Sequence, residues 1–397
     1  MSNWEKKTFQ DAPIEIIDGD RGVNYPQKSD FSKTGYCLFL STSNVTTTGF
    51  DFNSTDFISK EKDDDLRKGK LKKGDIVLTT RGTVGNVAFY NDKIPYENIR
   101  INSGMILLRA DTQKIHPYYL YYFLKSNLFK KQVISQGSGS AQPQLPIVSL
   151  KNIVIPWLDF EIQQKIAAVL SSLDSKIELN NKINAELEAM AKTLYDYWFV
   201  HNDEVCKWEI VKLGDFITVN ERSITKDYSQ NEIEYIDIAS VSVGRLESTQ
   251  KYELTNAPSR ARRLVKHGDT IWSTVRPNRK SYLFISNPKE NLVVSTGFAV
   301  LTPKTIPSSF LYFLSTTDKF VNFLVSNAEG SAYPAVSADR FAEVEFPMPP
   351  EKELTEFEKT VSPMLAKITQ NELENQTLSE LRDWLLPMLM NGQVKVT

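Results

Sequence analysis

The chain repeats itself over nearly its whole length. Gly139-Ser140-Ala141-Gln142-Pro143 precedes an apolar run and a long amphipathic stretch, and Gly330-Ser331-Ala332-Tyr333-Pro334 precedes the same pair. The displacement is 191 residues (330 − 139). Solenoid units repeat every ~20–50 residues, so this is a duplicated domain with its connector. A chain of 397 residues is also expected to hold more than one core. Duplication on this scale dictates two bodies of one kind, each followed by one long helix. Such a protein suits gripping two similar things at a fixed separation.

Residues 162–198 contain neither proline nor glycine. Ile166, Leu173, Asn180, Leu187 and Leu194 stand seven apart, and Leu170, Ile177, Asn184, Ala191 and Trp198 lie four further on. Adding 191 gives Phe357, Met364, Asn371, Leu378 and Leu385, then Val361, Ile368, Asn375, Arg382 and Leu389. Apolar positions kept over several heptads predict a coiled coil. About 33 residues at ~1.5 Å each would reach roughly 50 Å. Pro363 and Pro387 are expected to kink or stop the second helix. If the helices pair antiparallel, residue i faces roughly 555 − i. Asn180 then faces Asn375, and Asn184 faces Asn371. These asparagines either lock register and orientation, each amide finding a partner, or turn to solvent on a bent helix middle.

The globular segments read as α/β, each a twisted and largely antiparallel sheet with one or two helices. Gly74-Asp75 and Gly268-Asp269 each lead into a β-branched strand that ends in a turn. A single short aromatic helix is expected over 117–129 and again over 308–323. The predicted class is α+β, with two tandem α/β domains separated by two long helices that pair as an antiparallel coiled coil, related by a pseudo-two-fold repeat. The boundaries are 1–158, 159–200, 201–349 and 350–397.

Net charge is −2 but unevenly spread. Residues 1–158 carry 21 basic and 16 acidic side chains, and residues 198–349 carry 17 and 18. The helical stretches 159–197 (4 − 7) and 350–397 (5 − 8) are each at −3. Local basic clusters therefore matter more than the total. Side chains at strand ends are candidates for DNA contact, because Arg can pair bidentately with guanine and Asn with adenine. They are Ser43, Asn44, Thr80, Arg81, Thr83 and Asn86 in the first half. Ser240, Ser242, Thr274, Arg276, Asn278, Arg279 and Lys280 are their second-half counterparts. Ser140, Gln142, Ser331 and Tyr333 in the Gly-Ser-Ala loops join them, since such loops can offer backbone N–H groups to phosphate. For each the alternative is a solvated loop residue. The segment 60–73, where acidic side chains offset seven Lys/Arg, is expected to be a solvated loop.

Catalytic patterns are missing. Gly69 to Gly74 has phosphate-loop spacing, but Asp75 stands where Lys is required. His116, His201 and His267 are too scattered for a triad or metal cluster. Cys37 and Cys206 form no Cys-x-x-Cys, which fits a reducing compartment. With no apolar leader or 18-residue apolar run, the chain is expected to be soluble and cytoplasmic.

Trp208-x4-Leu213-Gly214-Asp215, the two Gly-Asp strand motifs, the Gly-Ser-Ala-Gln loop and the helix 177–200 carry a resemblance over essentially the whole chain. So does 381–392, Leu-Arg-Asp-Trp-Leu-Leu-Pro-Met-Leu-Met-Asn-Gly. The chain resembles the DNA-specificity subunit of type I restriction-modification systems. Members of that family usually have two prolines where Pro156-Trp157 stands, and Pro349-Pro350 keeps them. The resemblance implies two target-recognition domains, each reading half of a split asymmetric site in double-stranded DNA, with the helices setting the unread gap. It also implies two modification subunits carrying S-adenosylmethionine, and restriction subunits using ATP and Mg. The chain itself is then non-catalytic and binds no cofactor. Tyr195, Tyr197, Trp198 and Phe199 either anchor a partner or pack at a hinge. A stand-alone DNA-binding regulator and a protein-interaction scaffold are the rival readings.

Overall fold

In the computed structural model, residues 4–136, 144–394 and 396 are described. The chain forms two compact units, one of residues 1–178 with 375–397 and one of residues 179–374. Both follow one plan. In the first, strands Ile14–Asp18, Met105–Ala110, Ile76–Thr79 and Val87–Phe89 form an antiparallel sheet in that order. In the second, Ile217–Val219, Phe298–Pro303, Thr270–Ser273 and Tyr282–Phe284 repeat it. The Ile-Val-Leu-Thr strand is buried along its length, as β-branched residues in a covered strand should be.

Each unit adds a second sheet containing one parallel pairing. Cys37–Leu40 runs parallel to Ile99–Ile101, and Glu232–Ile236 runs parallel to Leu292–Ser295. The second unit extends this sheet with Gln250–Glu253 and Ala261–Leu264 on its two edges. A short ribbon closes each unit: Glu5–Thr8 with Val154–Trp157, and Ile210–Lys212 with Glu345–Pro347.

The Gly-Asp motif is a turn device. Gly74 and Gly268 adopt φ of +92° and +87°, a region that suits glycine. The following carboxylate accepts from a backbone N–H inside the turn, Lys72 N to Asp75 and Lys266 N to Asp269, each at 2.7 Å. Burial raises the Asp269 carboxyl above its usual range, against the opposing donors Thr302 Oγ1 and Lys266 N.

Three expectations change. The aromatic helix is two helices in each unit, Pro117–Lys125 with Asn127–Gln136 and Ser308–Thr316 with Asp318–Ser326. Ser126 and Thr317 break them, because their hydroxyls accept from Phe129 N and Phe320 N at 3.3 Å and so compete with the helical backbone bonds. The acidic-basic segment is not simply solvated. Lys60–Asp65 is a helix, and Asp63 lies buried against the guanidinium of Arg100 and the ammonium of Lys70. Arg100 also donates to the carbonyls of Lys68, Asp63 and Leu66 at 2.7, 2.7 and 2.8 Å, so no hydrogen-bonding group there is stranded. Finally, the second long helix does not stop at either proline but continues from Glu351 to Asn391. Each interior proline costs ~3 kcal/mol. The apolar positions around them, Val361, Leu365, Leu386 and Leu389, are buried and offset that cost.

The long helices Phe160–Phe199 and Glu351–Asn391 each give one half to each unit. Every heptad position named above is buried or half-buried. In the second unit Asn371 Nδ2 donates to Asn184 Oδ1 at 2.8 Å, and Asn180 Nδ2 to Glu374 at 2.8 Å. The Asn184–Asn371 pair sums to 555 (184 + 371), the antiparallel register expected. Asn375 falls in the other unit. There Arg382 takes the polar place, donating to Asp174 at 2.8 Å while Tyr122 donates to the same carboxylate at 2.8 Å. A shift of 191 turns Asp174 and Arg382 into Leu365 and Ala191, both buried in the second unit. The two copies thus differ at these positions, apolar in one and an ion pair in the other.

Candidate nucleic-acid interface

One end of the first unit gathers three segments of chain around Gly104. Thr80 follows the central strand, and both its N and its Oγ1 donate to the Gly104 carbonyl, at 2.8 and 3.0 Å. A Cβ on Gly104 would stand 2.9 Å from Thr42 Cγ2 and 3.9 Å from Arg81 Cβ. The turn Thr42–Asn44 therefore presses on the same point. Leu145, closing the Gly-Ser-Ala segment, donates from its N to the Thr80 carbonyl at 3.0 Å.

The second unit builds the same junction around Gly297. Thr274 donates from N and from Oγ1 to the Gly297 carbonyl, both at 2.9 Å. Val336 N returns to the Thr274 carbonyl at 2.8 Å. The turn Ile238–Ser240 closes on it, since a Cβ on Gly297 would lie 2.4 Å from Ile238 Cδ1. Thr274 sits 194 residues after Thr80 (274 − 80) and repeats its bonding.

The candidate side chains divide into those spent on the scaffold and those left facing out. Asn44 is buried; it donates to the Asp51 and Ser54 carbonyls at 2.9 and 2.7 Å and accepts from Ser41 N. Thr80 is buried, and Asn86 Nδ2 ties its hairpin to the Val45 carbonyl at 2.9 Å. Ser240 is buried against Asp237, and Ser242 Oγ donates to Glu247 at 2.6 Å. Ser43, Arg81, Thr83, Asn278, Arg279, Ser331 and Tyr333 are exposed. Ser140 and Gln142 lie outside the described residues.

Arg276 and Lys280 carry the clearest sign of a built site. Both are non-glycine residues in the left-handed region, with φ of +51° and +54°. Such backbone costs about 1–3 kcal/mol per residue and persists only where its surroundings impose it. Arg276 N donates to the Pro334 carbonyl at 2.7 Å, and Lys280 N to the Pro277 carbonyl at 3.0 Å. The Arg276 guanidinium lies 4.4 Å from the centre of the Tyr333 ring and donates to the Ala332 carbonyl at 3.1 Å. Lys280 pairs with Asp318 at 3.0 Å. The first unit meets the same geometric demand with Gly82 and Gly85, at φ of +71° and +95°.

Two arginines were not singled out in the sequence. Arg21 donates to the Ser103 carbonyl, next to Gly104, at 3.3 Å. Arg260 accepts through its carbonyl from Thr296 N, next to Gly297, at 2.8 Å. The run Arg260-Ala-Arg-Arg was the signal available for the second; Arg21 had none. The aromatic cluster splits as well. Tyr195 and Phe199 are core residues, with Phe199 at 5.0 Å from both Phe310 and Phe357, and Trp198 stands at 5.7 Å from Phe357. Tyr197 is exposed. Among the described residues no group of three His, Cys, Asp or Glu could hold a metal ion, and no helix is long and apolar enough to cross a membrane.

The family model for the type I restriction modification DNA specificity domain matches residues 1–189 and again 206–383. The type I restriction enzyme MjaIX specificity subunit of Methanocaldococcus jannaschii is 28% identical, over 82% of this chain and 78% of its own. The type I restriction enzyme HindI specificity subunit of Haemophilus influenzae is 23% identical, over 99% and 100%. The crystal structure of a type I restriction-modification S subunit from M. genitalium shares the fold, with a TM-score of 0.64 at 15% identity over 100% of this chain and 97% of its own. Two matches that repeat the duplication and span most of the chain make it a member of the type I restriction modification DNA specificity domain family.

Proposed function

We propose that this chain supplies DNA sequence specificity to a type I restriction-modification complex and performs no chemistry itself. Residues 1–158 and 201–349 each read one half of a bipartite, asymmetric target. The helical stretches 159–200 and 350–397 set the unread gap and bind two modification subunits. Those partners bring S-adenosylmethionine for adenine methylation, and restriction subunits bring ATP and Mg.

One observation carries this reading. The same three-segment junction is built twice, around Gly104 and around Gly297, but presents different side chains. Arg81 and Thr83 stand out on one, Asn278 and Arg279 on the other. A common frame with unlike readers is what an asymmetric split site requires, because phosphate contacts position and base contacts specify.

The test is to assemble the chain with its modification subunits and map methylated adenines. A single bipartite motif with a fixed gap is expected. Arg81→Ala should relax one half-site and Arg279→Ala the other. Uniform loss over all sequences would make these side chains phosphate contacts, and methylation without sequence preference would defeat the reading.

A further inference from the structure

The second unit carries a cleft of about 380 Å³, lined in part by Tyr235, Asp237, Gln250, Tyr252, Arg260 and Ser295. It lies where strands Glu232–Ile236 and Leu292–Ser295 end and Gln250–Glu253 begins. Two tyrosines stand in its wall, the Tyr235 and Tyr252 rings meeting at 6.1 Å and 66°.

Its polar groups are of both kinds. Arg260 is exposed and offers a planar fork of donors. Gln250 Oε1 accepts from the Tyr252 hydroxyl at 2.5 Å, which leaves the amide N–H₂ as donor. Asp237 receives Ser240 N and Oγ on one oxygen, at 2.8 and 2.7 Å, and its other oxygen is an acceptor. A phosphate needs donors alone, and the Asp237 carboxylate would repel it. A base edge presents acceptors and donors side by side.

The cleft is also fixed to the junction described above. Thr296 N donates to the Arg260 carbonyl at 2.8 Å, and the next residue, Gly297, takes both Thr274 donors at 2.9 Å. Ile238, which lines the cleft, packs on Gly297. The cleft and the strand end at Thr274 thus share one bonded frame through Gly297.

We propose that this cleft is a second base-reading position of the second unit, with Arg260 the specificity-determining side chain and Gln250 and Asp237 its companions. The inference rests on the reading that the chain delivers DNA specificity. Arg260 is expected to pair bidentately with a base edge that offers two acceptors, as guanine does in the major groove.

The experiment compares wild type, Arg260→Ala, Arg260→Lys and Gln250→Ala, each full-length and assembled with the modification subunits, by mapping methylated adenines on genomic DNA. Arg260→Ala and Arg260→Lys should both lower discrimination at one base position of one half-site by roughly ten- to hundred-fold, leaving the other half-site intact. Lysine should not rescue, because it keeps the charge but lacks the fork. Gln250→Ala should relax the same half-site. An unchanged motif in Arg260→Ala would overturn the proposal and leave the broader reading standing. So would a uniform drop at all sites that Arg260→Lys restores, the mark of a phosphate contact. A wild-type complex without sequence preference would overturn both.

Discussion

Replacing Asn371 with leucine tests whether the polar break in the helix pair is a register device. Asn371 is fully buried and Asn184 nearly so, at 0% and 8% exposure, and they share the 2.8 Å bond from Nδ2 to Oδ1. Asn184 Nδ2 adds a weaker donation to the Ile368 carbonyl at 3.4 Å. Asn371→Leu leaves the Asn184 oxygen without its donor in a buried seam, and Asn184→Leu strands the Asn371 amide. Each should cost about 1–3 kcal/mol, the penalty for orphaning a buried polar group. The double variant removes both amides and buries two apolar side chains, so its loss should be smaller than the sum by at least ~1 kcal/mol. Urea unfolding of the four proteins closes this double-mutant cycle. Additivity within about 0.5 kcal/mol would refute the coupling. A second readout bears on function: in the double variant, methylated sites should show more than one gap length between half-sites. A single unchanged gap would mean that the apolar heptads alone hold the register and that the amides are not the lock.

Other consequences are direct. Arg100→Met should destabilise the first unit by ~3–5 kcal/mol, because it leaves Asp63 short of its main buried cation; the companion change Asp63→Leu should recover part of this in denaturant melts. Burial pushes the Glu372 carboxyl from the usual 4.5 up to about 7, with Glu188 and Glu247 adding to this and Arg245 opposing it. A folded value above the unfolded one means that this group's contribution is full below about 4.5 and is lost as pH rises through about 7. Glu372→Gln should therefore gain stability relative to wild type across that window, and parallel pH profiles would count against the assignment. Cys37 is buried, and burial, with Asp63 beside it, pushes its thiol up to about 12, whereas Cys206 is exposed. A maleimide should label one thiol in native protein and two after unfolding. Two fast labels in the native state would contradict the packing around Cys37.

Some features were legible because they are local. The heptads needed only residue spacing, since the side chains of one helix face recur at fixed intervals whatever lies opposite. The Gly-Asp turns were equally readable, a glycine at positive φ followed by an oxygen that accepts the turn's own N–H. Other features failed for stated reasons. Ser126 and Thr317 look helix-compatible until their hydroxyls find the backbone two helices meet on. Pro363 and Pro387 look like stops until the burial around them is counted. Asn44 and Thr80 have the chemistry of base readers, and the same amide and hydroxyl serve equally well as internal braces.

The sequence by itself determined the duplication and the two long helices, because periodicity and self-similarity are properties of the chain read in order; the antiparallel register was one pairing it allowed, and the Asn184–Asn371 bond is the contact that matches it. Tertiary structure alone decided which polar side chains face outward. Thr42, Thr80 and Gly104 come together through strand pairings between distant segments, as do Ile238, Thr274 and Gly297. Whether an arginine there is bound inward or left free, as Arg100 and Arg81 respectively are, depends on what those pairings bring beside it. A residue's type states what it can bond to; only its surroundings determine whether that capacity is already used.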